Sequence, residues 1–116
     1  MNDSIAMLTA EIQNFVDQRE WRKYHNPKDL SVAIAAEAGE LMQHFVWQQE
    51  DQIQQRVAAR REEIASEIAD VAILLFELAD NLNMQLGDVM AAKIAYNHQR
   101  YPVEKARGNN LKYSEL

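Results

Sequence analysis

Apolar residues recur along this chain at helical spacing. Ile5, Leu8, Ile12 and Phe15 form a 3-4-3 stripe in a segment from residue 4 to about 22, with Asp3 or Ser4 available as its cap. Lys23 to Pro27 interrupts the pattern, because proline disfavours helix at Asn26 and suits the first turn of a new helix. A second helix is predicted from about Pro27 to Trp47, striped by Leu30, Ile34, Ala38, Leu41 and Phe45. The third pattern is the most regular. Ile64, Ile68, Val71, Leu75, Leu78 and Leu82 repeat at 4-3-4-3-4, the spacing of a bundle seam. Asn81 to Gly87 breaks it, and Asp88 can cap a fourth helix that reaches about His98 before Tyr101-Pro102 ends it. Residues 103–116 are polar and aperiodic, which predicts a tail that is mobile unless something orders it.

Composition agrees with long elements and few turns. The 116 residues include only 3 Gly and 2 Pro, so the fold class read from the sequence is all-α. The expected architecture is a four-helix bundle-like single domain over residues 1–103, followed by a polar tail over 104–116. There is no cysteine, which excludes disulfides, thiolate metal sites and thiol nucleophiles together. No apolar run approaches the roughly 18–20 residues of a membrane span. The start MNDSIAML lacks the basic flank and apolar stretch of a secretory signal, so a cytoplasmic protein is expected. The formal charge of −6 argues against nucleic acid as a partner. It also repels a free nucleotide, unless a cation or a local basic patch reverses the sign.

Two acid pairs supply such a cation site. Glu37-x-x-Glu40 and Glu67-x-x-Asp70 each have i,i+3 spacing, which aims two like charges the same way from one helix face. Either both pairs face water, or they surround a divalent cation. Each pair sits one residue before the apolar stripe of its helix (37 and 40 against 38 and 41, 67 and 70 against 68 and 71), so each borders the core on the same flank. An antiparallel pairing of the two stripes brings equal flanks to the same side and gathers all four acids; a parallel pairing separates them. Level acids then require a turn centred near residue 53 or 54, with irregular or separately oriented structure in 48–58. Four carboxylates without cysteine favour a hard cation, Mg²⁺ or Mn²⁺ rather than Zn²⁺. Glu63 and Glu77 extend the same flank of the third helix; Glu63 reads as surface charge, and Glu77 as surface charge or a support behind the cation ligands. His44, four residues after Glu40, is expected to face solvent.

Two further groupings bear on a nucleotide. Lys93, Asn97 and Arg100 fall at i, i+4 and i+7 on the fourth helix, a polar face that is either plainly solvated or suited to phosphate oxygens. Trp21 and Trp47 close the first and second helices. They are either core or interface aromatics, or a sandwich for a flat base with His25 or Asn26 at its edge.

In order, Glu37-Ala-Gly-Glu40, Glu67-Ile-Ala-Asp70, Lys93-Ile-Ala-Tyr-Asn97 and Arg100-Tyr-Pro102 resemble the motif set of the MazG-like all-α nucleotide pyrophosphohydrolases. The stretches Trp21 to Asn26 and Ala36 to Leu41 resemble its short dCTP-pyrophosphatase branch, and the likeness covers roughly residues 15–103. The resemblance implies Mg²⁺-dependent hydrolysis of a (deoxy)nucleoside triphosphate to the monophosphate and pyrophosphate, in nucleotide-pool house-cleaning with a lean to dCTP-like substrates. It implies Glu37, Glu40, Glu67 and Asp70 as catalytic metal ligands, with Mn²⁺ able to substitute for Mg²⁺. Trp21, His25 and Trp47 would line the base pocket, and Lys93, Asn97, Arg100 and Tyr101 would meet phosphate or sugar. It also implies a homotetramer built as a dimer of dimers, or a homodimer, whose sites borrow residues from a second chain, and a C-terminal segment with Lys105, Lys112 and Tyr113 that closes over substrate. The alternatives are a phosphoribosyl-ATP pyrophosphohydrolase-like activity and a non-catalytic helical dimerisation or regulatory module.

Overall fold

The computed structural model describes residues 4–116, and among them all regular structure is helical. The chain forms two compact units, Met1–Met84 and Gln85–Leu116.

In the first unit, α1 (Ile5–Gln18) opens on Ser4, whose hydroxyl oxygen accepts a hydrogen bond from the Met7 N–H at 3.0 Å. Asp3, the other candidate cap, lies outside the described residues. The helix stops short of residue 22 because Glu20 turns into the left-handed region, φ 55°. The Trp21 N–H then reaches back to the Val16 carbonyl at 3.1 Å, and a 3-10 turn over Arg22–Tyr24 follows. Next, α2 (Pro27–Gln43) begins as expected: Asn26 caps it by accepting from the Asp29 N–H at 2.9 Å, and Pro27 occupies the first turn. It ends before Trp47. His44 to Trp47 tighten into turns, and Trp47 takes φ 64°, where a bulky residue cannot continue a helix.

The connection carries a 3-10 turn at Glu50–Gln52 and a short helix, α3 (Ile53–Ala59), broken from α4 (Arg61–Asn81) at Arg60. This is the separately oriented structure that the acid spacing required between residues 48 and 58. α4 packs mainly against α2 and secondarily against α1. The α2/α4 pairing is antiparallel. Near the start of α2, the His25 carbonyl accepts from the Asn81 side-chain amide at the end of α4, 2.9 Å away, while Glu37 approaches Glu67 and Asp70 further along. These pairings centre on residues 52 to 54, the turn position read from the sequence.

Burial departs from expectation. Among the described residues the buried apolar side chains are Val16, Leu30, Ile64 and Ala79, and of these Val16 is fully enclosed. Of the seam predicted on α4, Ile64 is enclosed, but Ile68, Leu75 and Leu82 are 53%, 44% and 41% exposed. These three stand seven residues apart along one line of the helix, turned away from the cover that α2 and α1 give. An open apolar groove of about 490 Å³ runs along Leu8, Ile12, Phe15, Ala69, Ile73 and Phe76. The helical period is therefore as predicted, but one protomer covers only part of the stripe.

In the second unit, α5 (Leu86–Arg100) starts two residues before Asp88, so Asp88 lies in its first turn, favourable to the helix dipole, rather than at the cap. Pro102 follows its end. The segment expected to lack structure instead forms α6 (Val103–Ala106), a turn in which Gly108 takes φ 81°, and a 3-10 turn at Tyr113–Glu115. Aromatic contacts that hydrophobic periodicity does not reveal hold it. Tyr113 meets the edge of Tyr101 with centroids 6.2 Å apart, and its face covers Arg100.

Candidate functional site

The antiparallel register brings the acids of α2 and α4 together. One carboxylate oxygen from each of Glu37, Glu67 and Asp70 lies within 4.8 Å of the other two. Glu40, one turn from Glu37, is exposed and is not among the three residues gathered this closely, although its charge bears on both Glu37 and Glu67. The three clustered residues are half-buried. Desolvation, and then the neighbouring charges of Glu40, Asp70 and Glu67, push the Glu37 carboxyl above its ordinary value. Glu67 is raised by the same causes, burial first and then Glu40 and Asp70, partly offset by His44.

The decisive detail lies in two atoms. Glu37 Oε2 and Glu67 Oε2 are buried and have no hydrogen-bond donor among the described residues. A buried carboxylate oxygen without a partner is costly, and here two of them share one cluster with a third acid. All-oxygen donors of this kind, without cysteine, fit a hard divalent cation. His44 differs from expectation: it is half-buried at the end of α2, and its charge acts on Glu67 rather than facing only water.

The aromatic candidates are not brought together within one chain. Trp21 stacks edge-on against Phe15 at 5.8 Å and is 43% exposed. Trp47 is 92% exposed, so neither is a core residue. They stand beyond opposite ends of α2, whose 17 residues span about 25 Å. A single protomer does not close both rings on one base.

His25 lies next to Glu77. Its Nδ1 is 3.0 Å from Glu77 Oε2, a close contact that does not form a hydrogen bond and becomes an ion pair when His25 is protonated. Burial pushes the Glu77 carboxyl above its ordinary value, against the pull of His25 and then Arg22. Of the two readings the sequence left for Glu77, surface charge is excluded: it is the buried acid of the described residues, 6% exposed. It supports His25 rather than the acid cluster. Glu63 is a surface residue near Arg60, as expected.

In the second unit, Lys93 and Arg100 flank the Tyr96 ring, each 5.0 Å from its centroid. Asn97 and Tyr101 line a shallow hollow of about 250 Å³ with Ile94 and His98. His98 and Tyr96 carried no signal in the sequence beyond their helical positions, and Tyr113 drew attention only through the family resemblance. Tyr96 lies between Lys93 and Arg100 at i+3 and i−4, the one spacing that could have drawn attention to it.

A sequence model of the MazG-like family matches residues 32–116. The chain is 33% identical to dCTP pyrophosphatase 1 of Bos taurus and 34% identical to dCTP pyrophosphatase 1 of Homo sapiens, each over 98% of its length. It spans about two thirds of the length of these curated relatives, 67% and 66%. Its fold is similar to the crystal structure of a pyrophosphatase from Archaeoglobus fulgidus, with a TM-score of 0.81 and 33% identity, covering 88% of this chain and 95% of that one.

Proposed function

This chain belongs to the MazG-like family and is a nucleotide pyrophosphohydrolase; on that premise we propose that it cleaves a (deoxy)nucleoside triphosphate to the monophosphate and pyrophosphate at the Glu37/Glu40/Glu67/Asp70 cluster. The observation that carries this reading is the pair of donorless buried oxygens, Glu37 Oε2 and Glu67 Oε2, facing a third carboxylate. Glu37, Glu67, Asp70 and Glu40 would hold Mg²⁺, with Mn²⁺ as substitute. Such an ion, when bound, neutralises phosphate charge, polarises the phosphoryl group and acidifies a water. Of these four residues Glu40 is the exposed one, and it also orients the attacking water and takes its proton. The water attacks the α-phosphorus in line, and pyrophosphate departs.

Lys93, Asn97, Arg100 and Tyr101 serve phosphate or sugar, and Trp21, His25 and Trp47 serve the base. Because the two tryptophans lie beyond opposite ends of α2, the base pocket is shared between copies of the chain. The uncovered line Ile68, Leu75 and Leu82 supports the same view, since it offers α4 a second helix to pack against. The assembly is a homotetramer made as a dimer of dimers, with the homodimer as its smaller unit. Residues 1–103 form the working domain and 104–116 a segment that closes over substrate. The substrate is a dCTP-like pyrimidine nucleotide, cleared from the cytoplasmic pool.

The test is a pyrophosphate-release assay over common and modified nucleoside triphosphates with saturating Mg²⁺, with Glu40→Ala as control. Release that is lost in the control supports the reading. No release from any nucleotide, or equal release from the control, overturns it.

A further inference from the structure

Arg100 is the end residue of α5, and its surroundings are unusual for an end-of-helix arginine. Its guanidinium carbon lies 3.2 Å from the centroid of the Tyr113 ring, with Tyr96 a second ring at 5.0 Å. At 3.2 Å an edge-on guanidinium would drive its nitrogens into the ring, so the two planes lie face to face. The N–H donors of arginine all lie in the guanidinium plane. Stacking therefore uses the face and leaves the donor edge open. Among the described residues, no carboxylate or carbonyl occupies that edge: the ion pairs involve Arg22, Lys28, Arg60 and His25, and Arg100 donates no side-chain hydrogen bond. Tyr113 is itself fixed, with Tyr101 against it at 6.2 Å and its backbone in the 3-10 turn that ends the chain.

We propose that Tyr113 is a positioning residue for Arg100: the C-terminal turn of the second unit holds the guanidinium by its face so that its donor edge is presented, preformed, to the oxygens of the substrate's polyphosphate. The inference rests on the reading of Arg100 as a phosphate contact. The residue at position 113 therefore sets affinity for the phosphates without touching them. An arginine on a flexible stem loses rotamer freedom when it captures an anion, and a ring that has already fixed it removes part of that cost. Two tyrosines on one guanidinium also keep it from pairing with the acids of the chain, whose net charge is −6.

The experiment combines steady-state pyrophosphate release with NMR of the full-length protein. In the wild type, the Arg100 side-chain resonances are shifted upfield by the Tyr113 ring current, and in Tyr113→Leu, which keeps bulk but has no π face, that shift is lost. Tyr113→Leu raises KM about three- to tenfold, the span of a cation–π contact at a partly exposed site, with kcat within twofold. Tyr113→Phe keeps both wild-type shift and wild-type KM. Arg100→Ala raises KM further, and the Arg100→Ala/Tyr113→Leu pair is no worse than Arg100→Ala alone. Wild-type KM in Tyr113→Leu, additive losses in the double variant, or an Arg100 spectrum without ring-current shift each overturn the inference while leaving the phosphate role of Arg100 intact. Wild-type kinetics in Arg100→Ala overturn that role itself, and the proposal with it.

Discussion

Replacing Glu77 by glutamine should make the protein more stable at neutral pH, although Glu77 lies in direct contact with His25. Glu77 is 6% exposed, and the His25 ring stands 3.0 Å from its carboxylate without a hydrogen bond. Desolvation outweighs the attraction of His25 and Arg22, so the carboxyl is pushed up, not down. The site as built therefore prefers the neutral acid. Glutamine keeps the shape and removes the charge. Replacing both members of an enclosed pair by apolar residues gains about 1–4 kcal/mol, and removing one member costs stability only when it strands a buried charge. Here only the acid changes, and His25 and Arg22 are 25% and 54% exposed and keep contact with water. Solvent screening cuts the gain to the low end, about 1 kcal/mol. For a chain of this size that is about 3–6 °C in Tm. The pH dependence gives the sharper check. An acid whose folded value is raised contributes stability that is complete below its ordinary value of 4.5 and is lost as pH rises through the raised one. Glutamine does not titrate. The Tm difference between Glu77→Gln and wild type should be near zero at pH 4 and grow to its full value by pH 8, measured by calorimetry in a chelating buffer. A variant less stable at every pH, or a gap that does not close on acidification, refutes the reasoning.

The acid cluster predicts behaviour of the opposite kind. Glu67→Gln and Asp70→Asn should each lower pyrophosphate release by about a hundredfold or more and raise the Mg²⁺ concentration needed for half activity; kinetics against metal concentration measure both. In metal-free protein, the raised Glu37 and Glu67 carboxyls should make Tm climb as pH falls from 8 towards 4.5, because their stabilising contribution is present below the ordinary value and lost above the raised one. Saturating Mg²⁺ should reverse that slope, adding about 2.7 kcal/mol at a hundred times its Kd near pH 8 and fading towards pH 4.5 as protons displace it. Trp47→Ala, at a 92% exposed position, should leave stability within about 0.5 kcal/mol yet raise KM. An unchanged KM across nucleotides would remove Trp47 from the base pocket.

Much of the first unit was legible because its key constraint is periodic. The two acid pairs flank their stripes identically, and that sufficed to fix the antiparallel sense of α2 and α4 and a turn centred near residue 53, where α3 now stands. What periodicity cannot show is which partner covers a stripe. Ile68, Leu75 and Leu82 satisfy the bundle pattern as well as Ile64 does, yet only Ile64 is enclosed in the protomer. Helix ends were misjudged where a single non-glycine residue turns left-handed, as Glu20 and Trp47 do, since side-chain identity gives no warning there. The His25–Glu77 contact joins residues 52 positions apart in the sequence, and the only hint of it was an acid beside an apolar seam. Residues 103–116 combine local turns with the contact of Tyr113 on Arg100, which has no period at all.

Two groups of buried acids in one small chain call for different explanations, and the placement of cations separates them. Glu77 has its counter-charges inside the fold: His25 in direct contact and Arg22 nearby, itself shared with Asp17 and Asp80. Its electrostatic debt is partly met before any ligand arrives, which makes it a structural support for His25. Glu37 and Glu67 have no such provision. Of the basic side chains only His44 bears on the pair, and on Glu67 alone; their buried oxygens lack donors, and Glu40 and Asp70 only add like charge. Evolution could have relieved this cluster with one lysine on α2 or α4, yet none points there among the groups that act on it. Three clustered acids with a fourth acting on them, and no lysine or arginine among the groups that bear on Glu37 and Glu67, favour a counter-charge supplied from outside. A multivalent cation is the simplest species that answers such a cluster, and a polyphosphate is a natural partner for the charge it leaves over.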